Sequence, residues 1–241
     1  MAWGVLGHRI VGEIADSYLT SKARHQIKDL LGDETPGMAS NWMDFIKSDT
    51  AYKYLSTWHY VDFKGGLSKS EFQSYLDKDT ATDAYTKILF VSKELKNMVL
   101  SRDTRAMYLR VLIHLVGDIH QPLHVYGEGQ GGNKIKLLWF NENVNLHQVW
   151  DERLINFQQL SYTEYAKAIN HISKSERKAL QKEPLSQWIW DSYQIAENIY
   201  SDIKPDDKLG YNYNFKYIGT LNHQLLKGGV HLAGLLNDIF D

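Results

Sequence analysis

The chain has 241 residues, is 43% hydrophobic and 23% charged, and carries a formal net charge of −2 with histidine neutral. That balance belongs to a globular protein able to close one large core, and without a basic tail or run it offers no electrostatic reason to bind duplex DNA. The absence of cysteine excludes disulfides and thiolate metal sites, and no apolar run is long enough to span a bilayer.

The hydrophobic pattern is mostly helical. Residues 5–18 place Val5, Ile10, Val11, Ile14 and Ala15 at mixed three- and four-residue spacing, the mark of an amphipathic helix. Ser21 is placed to cap a second helix that runs to Leu31 and ends at Gly32-Asp33. A third helix is expected over 37–47, followed by an extended segment over 58–63. Residues 83–100 and 103–120 form a central helical pair, closed by Pro122, which disfavours helix at Gln121. Gly127–Gly132 reads as a loop, and 134–140 as a short strand or hairpin arm. Helices follow over 145–157, 162–172, 185–203 and 213–239, with breaks near Pro184 and Pro205. The fold class is all-α, a mainly helical single domain over residues 1–241 with a small β-hairpin.

The segment richest in chemistry is His114-Leu-Val-Gly-Asp118-Ile-His120-Gln-Pro-Leu-His124, answered by His147-Gln-Val-Trp-Asp151. Each His-x3-Asp pair has one-turn helical spacing, so an imidazole and a carboxylate can aim at one point. Nitrogen and oxygen donors without thiolates suit zinc in a catalytic role, and a metallohydrolase follows. Four further clusters stand out: Trp3-Gly-Val-Leu-Gly-His8, Ala39-Ser-Asn-Trp-Met-Asp44 with Lys47 one turn on, Trp58-His59-Tyr60-Val61-Asp62, and Gly131-Gly132-Asn133.

On these residues the chain resembles the zinc-dependent single-strand-specific nuclease and 3′-nucleotidase family, whose helical fold and trinuclear zinc site are shared with zinc-dependent phospholipase C. The motifs stand in family order from Trp3 to Asp151, with a looser likeness in Gly228-Gly-Val-His-Leu-Ala-Gly-Leu-Leu-Asn237. The resemblance implies three Zn²⁺. Asp44, His59, His114 and Asp118 hold the first. Asp118 bridges to the second, which takes His8 and the backbone amino and carbonyl groups of Trp3. His124, His147 and Asp151 hold the third.

The activity implied is hydrolysis of single-stranded DNA and RNA and of 3′-nucleotides, leaving 5′-phosphate and 3′-hydroxyl ends. Zinc lowers the pKa of bound water to roughly 7, and a carboxylate between two cations offsets their repulsion at roughly 3.5–4 Å. Asp44 and Asp118 are thereby catalytic, Lys47 stabilises phosphoryl oxygens, Tyr60 stacks on a base, and Asp62 accepts from a base edge. Asn133 either holds its loop or contacts phosphate. His120 falls outside the ligand pattern and is given a supporting or cleft-edge place. His25, His171, His223 and His231 are set aside as structural or surface residues, for want of an acidic partner at a motif spacing. The Gly127–Gly132 loop lacks a phosphate-loop ending and is expected to position neighbouring ligands, with Trp42, Trp58, Trp139 and Trp150 forming an apolar wall.

Fungal and plant members carry disulfides and glycans, whereas this chain has neither cysteine nor an Asn-x-Ser/Thr sequon. That departure favours a bacterial-type secreted or periplasmic member. Met1-Ala2 is then expected to be removed, freeing the amino group of Trp3. No membrane or obligate protein partner is implied. The rival readings are a phospholipase C-type phosphodiesterase, disfavoured because Asp151 stands where that family carries glutamate, and a non-catalytic zinc-binding protein.

Overall fold

The computed structural model describes residues 3–241, and the expectations for Met1-Ala2 lie outside them. In chain order the helices are α1 Val5–Ser17, α2 Ser21–Leu31, α3 Pro36–Ala39 and α4 Trp42–Phe45, followed by 3₁₀ turns at Ile46–Ser48 and Thr50–His59. Next come α5 Lys69–Asp77, α6 Ala84–Leu95 and α7 Arg102–His120, with 3₁₀ turns at Pro122–Val125 and Glu128–Gln130. A hairpin of β1 Lys136–Trp139 and β2 Glu142–Asn145 leads into α8 Leu146–Gln148, a π-helical turn Val149–Arg153 and α9 Leu154–Asn156. The chain closes with α10 Tyr162–Ile169, α11 Lys174–Leu180, α12 Leu185–Ser201, β3 Lys208–Leu209 and α13 Tyr211–Phe240.

The helical fold class agrees with the sequence reading, and several boundaries differ for physical reasons. Thr20, not Ser21, caps α2, its hydroxyl accepting from the Ala23 N–H. The helix expected over 37–47 is split at Ser40-Asn41 into α3 and α4. Residues 58 and 59 finish a ten-residue 3₁₀ helix, so the extended segment begins at Tyr60. The hairpin gains a third strand: β1 pairs antiparallel with β2, Lys136 opposite Asn145, and parallel with the two-residue β3.

Helix α7 runs through the centre of the molecule, and every residue from Val111 to His120 is buried. Helices α1 and α13 pack against each other and against α7. Gly117 belongs to this packing, since a Cβ there would meet His8 Nδ1 at 2.7 Å. Buried helices bring side chains from residues 8, 114 and 118 together without room for relaxation, a rigid setting for a site.

Candidate metal centre

Helix α1 delivers His8, α4 delivers Asp44, the end of the long 3₁₀ helix delivers His59, and α7 delivers His114 and Asp118. His59 Nδ1 and His114 Nε2 lie 3.0 Å and 3.3 Å from Asp118 Oδ2, while His8 Nε2 lies 3.3 Å from Asp118 Oδ1. The two oxygens of one buried carboxylate therefore face two different imidazole groups. Asp44 Oδ1 stands 4.0 Å from His114 Nε2. Asp44 also pairs with Lys47 at the mouth of the cleft.

A second group forms where the 3₁₀ turn after α7 meets the π-helical turn. His124 Nε2 lies 3.1 Å from His147 Nε2, which lies 3.1 Å from Asp151 Oδ2. The sequence reading placed His147 and Asp151 on a regular helical turn; the turn is π-helical, yet the two side chains still meet. Three sets of donor atoms thus converge: His8 with His114 and Asp118, Asp44 with His59 and His114, and His124 with His147 and Asp151. Trp3 is fully buried, and the next N–H, that of Gly4, donates to the Asp151 carbonyl at 2.8 Å, which brings the start of the described chain against this group.

Backbone carbonyls fix the imidazole tautomers. The Nδ1–H groups of His114, His124 and His147 donate to the carbonyls of Ser40, His59 and Gly131 at 2.7, 2.7 and 2.6 Å. Each Nε2 is then the atom aimed inward, the arrangement found around metal-ligating histidines. His124 Nε2 and His147 Nε2 thereby face each other across the second group. Both nitrogens of His8, Nε2 of His59 and Oδ1 of Asp118 are buried without a hydrogen bond. Buried polar atoms of this kind are costly unless a ligand satisfies them. The donor set, imidazole and carboxylate only, fits zinc.

The electrostatics divide the donor set. Burial works against charge on His114 and His147, but Asp118 and Asp151 outweigh it and raise the pKa of both rings, and burial raises that of Asp151, so a cation binding there displaces protons. Burial pushes the pKa of His8 down to about 4 and that of His124 to about 3, and lowers that of His59, so these rings are neutral and able to coordinate. Burial opposes ionisation of Asp118, but His114 and the other surrounding imidazoles outweigh it and hold the carboxyl well below its ordinary range. Asp44 behaves likewise: burial works against its charge, yet His114, His8 and Lys47 bring it to about 2.

Beside these groups lies a cleft of about 350 Å³ lined by Lys47, Ser56, Tyr60, Asp62, Asn133 and three of the histidines. Val61 and Phe63 are fully buried while Tyr60 and Asp62 face outward, the alternation of an extended strand. The Val61 N–H bonds the His124 carbonyl, and the Gly127 N–H bonds the Phe63 carbonyl, both at 2.8 Å. The fold thereby hangs Tyr60 and Asp62 over the cleft. Partial burial raises the pKa of Asp62.

Asn133 donates through Nδ2 to the Gln130 carbonyl at 2.9 Å, so one end of its amide holds the loop. Gly131 is left-handed, φ +59°, and a Cβ there would meet the Leu123 carbonyl at 2.7 Å. Glycine at that point lets its carbonyl reach His147.

His120 does not reach the cleft. It is buried, with Nδ1 bonded to the Val116 carbonyl at 2.7 Å and Nε2 to His231 Nδ1 at 2.8 Å. His231 does have an acidic neighbour, Glu183 at 3.3 Å, brought in by the fold. His25 also has one, Asp29 one turn on at 3.6 Å, but both side chains are more than half exposed and hold nothing else. Of the tryptophans, Trp58, Trp139 and Trp150 are buried and Trp42 is half-buried.

One residue was missed. Gln121, fully buried, donates through Nε2 to Asp151 Oδ1 at 2.7 Å and accepts from the Leu123 N–H at 2.6 Å. It aims a carboxylate of the second group. The signal available was its place before Pro122, where a side chain must cap the new turn.

Helices enclosing clustered imidazoles and carboxylates define a metal-dependent hydrolase class, and the fold is found elsewhere. It matches the alpha toxin from Clostridium absonum with a TM-score of 0.50 and 16% identity, covering 99% of this chain and 65% of that one, a likeness of fold alone. The chain itself belongs to the S1/P1 nuclease family, whose model matches residues 3–241, and it is a nuclease. Endonuclease 4 of Arabidopsis thaliana is 30% identical over all of this chain and 90% of its own length. Nuclease P1 of Penicillium citrinum is 26% identical over 98% of this chain and 97% of its own, and nuclease S1 of Aspergillus oryzae is 31% identical over 63% and 54%.

Proposed function

We propose that residues 1–241 form one zinc-dependent phosphodiesterase domain that cuts single-stranded DNA and RNA to 5′-phosphate products and also removes 3′-phosphates from nucleotides. The observation that carries this reading is the split engagement of Asp118, one oxygen toward His8 and the other toward His59 and His114. A carboxylate placed in that way suits two adjacent cations, with His124, His147 and Asp151 for a third. Zinc held there supplies a water that ionises near neutral pH and positive charge for the oxygens of the phosphate.

The chain's own groups do the rest. Asp44 and Asp118 hold their charge at neutral pH and keep the donor set ionised. Lys47 stands at the cleft mouth, where its ammonium can meet a phosphoryl oxygen. Tyr60, 37% exposed, offers a ring face to a base, and Asp62 an acceptor to a base edge. Stacking needs an unpaired, unstacked base, which is a physical reason to favour single strands. Leu123, buried, gives the cleft an apolar patch.

Among the described residues no helix is long and apolar enough to cross a membrane; placement outside the cytoplasm, secreted or periplasmic, is part of the proposal and rests on the family resemblance. The test sets a single-stranded DNA, an RNA, a 3′-nucleotide and phosphatidylcholine side by side, with end-group analysis of the products. Cleavage of the DNA and RNA to 5′-phosphate ends, and release of inorganic phosphate from the 3′-nucleotide, are expected. Hydrolysis of phosphatidylcholine alone, or 3′-phosphate products, would overturn the reading.

A further inference from the structure

The 3₁₀ helix Thr50–His59 is ten residues long, whereas such helices seldom exceed three or four. Its side chains repeat every three residues, so it presents three straight ridges. Tyr52, Leu55 and Trp58 form the first and turn toward the core, with Leu55 and Trp58 buried. Lys53, Ser56 and His59 form the second: Ser56 and His59 line the metal cleft, and Lys53 extends that ridge outward. Tyr54 and Thr57 form the third, which ends at Tyr60 where the chain becomes extended. At about 2.0 Å per residue, Lys53 lies roughly 12 Å from His59, and Tyr54 a similar distance from Tyr60.

Tyr54 is a held but open ring. Its face lies near Tyr52 (centroids 6.4 Å apart, 27° between planes) and its edge meets Trp58 at 5.7 Å, yet half of it, 51%, is exposed. Lysines and aspartates both stand along this face. Lys47 lines the cleft, Lys53 is exposed on the second ridge, and Lys87 places its ammonium 4.9 Å from the Trp58 ring centroid. The acidic groups nearby are Asp49, which caps the far end of the helix, Asp44, which belongs to the metal cage, and Asp62, which lines the cleft beside Tyr60.

We infer that the two outer ridges carry a single-stranded nucleic acid onward from the cleft, Tyr54 stacking on a base beyond the one at Tyr60 and Lys53 pairing with a backbone phosphate. Aromatic faces alternating with ammonium groups suit a strand whose sequence is not read. The long 3₁₀ helix is the device that keeps stacking face and cation in register over three turns. The inference rests on the phosphodiesterase reading and adds a longer binding track to it.

The zinc-loaded enzyme is assayed on a single-stranded oligonucleotide of about twelve nucleotides and on a dinucleotide, over a range of salt. The parent should prefer the longer substrate. Tyr54→Ala should lower kcat/KM on it about tenfold relative to the dinucleotide, and Lys53→Ala, which removes no packing, should reduce the slope of log KM against log salt by about 0.7. Length preference and salt slope both unchanged in the two variants, with the parent active, would overturn the track while leaving the nuclease reading intact. A parent inactive on both substrates would overturn the phosphodiesterase reading and the track with it.

Discussion

Helix α7 carries buried histidines of two opposite kinds. His114, with His8, His59 and Asp118, lies in a cage where buried nitrogens and an oxygen have no hydrogen-bond partner. Two turns on, His120 is equally buried but both of its nitrogens are bonded, to Val116 and His231. Around it Gln224 donates to the His120 carbonyl at 3.0 Å and to Ser192 at 2.9 Å, and the His231 ring stacks on Trp188 at 4.4 Å. The outer nitrogen of His231 has no hydrogen bond, but it faces only Glu183, at 3.3 Å, and joins no converging donor set. Burial alone therefore does not mark a ligand. Donor atoms left unsatisfied and converging do, because burying them without a partner is unfavourable unless a cation arrives.

The strongest way to break this contrast is Asp118→Asn. It removes the charge that faces both imidazole groups, and nuclease turnover should fall by about 10³-fold or more, with zinc content falling too. Unchanged turnover would end the bridging assignment. Gln121→Ala should act next most strongly, weakening zinc at His124, His147 and Asp151 by about 10–100-fold in a chelator competition, while the other group keeps its metal. Equal loss from both groups would show that Gln121 serves the fold and not Asp151.

On the other side of α7, His231→Ala leaves His120 and Glu183 without their partner. The expected cost is about 2–4 kcal/mol in denaturant unfolding, with zinc content unaltered; lost zinc would erase the distinction between the two histidine sets. The smallest effect concerns Asp83, which caps α6 and whose pKa is raised to about 6 by burial, aided by the neighbouring Asp79. Between 3.8 and 6 the folded state holds more protons than the unfolded one, so stability from this carboxyl is fully present below 3.8 and declines as pH rises through 6. Asp83→Asn keeps an acceptor for the Thr86 N–H and removes the like charge. Its melting temperature should rise by about 2 °C at pH 8 and hardly change at pH 4; equal shifts at both would contradict the raised pKa.

Much of this was legible along the chain. The spacing of Ile10, Val11 and Ile14, and the run through His114 and Asp118, announce α1 and α7 directly, and residues in seven separate elements converge near one another in the fold. Other features need the folded state. The 3₁₀ helix at Thr50–His59 places apolar side chains at 52, 55 and 58, a period of three that fits neither helix nor strand templates. The two-residue β3 is too short to carry a pattern at all. Gln121 acts through Asp151, thirty positions away, and the Ser40 and His59 carbonyls that set two of the imidazole tautomers are backbone atoms which any residue type could supply, whereas at Gly131 the left-handed backbone asks for glycine. His120 lies outside the three converging donor sets, and its partner His231, far along the chain, is brought to it only by the fold.

The most direct test is a zinc count on the purified, active protein by elemental analysis, checked by native mass spectrometry. Three converging donor sets predict three zinc ions per chain, falling in Asp118→Asn and unchanged in His231→Ala. A fully active protein carrying one zinc or none would contradict the account.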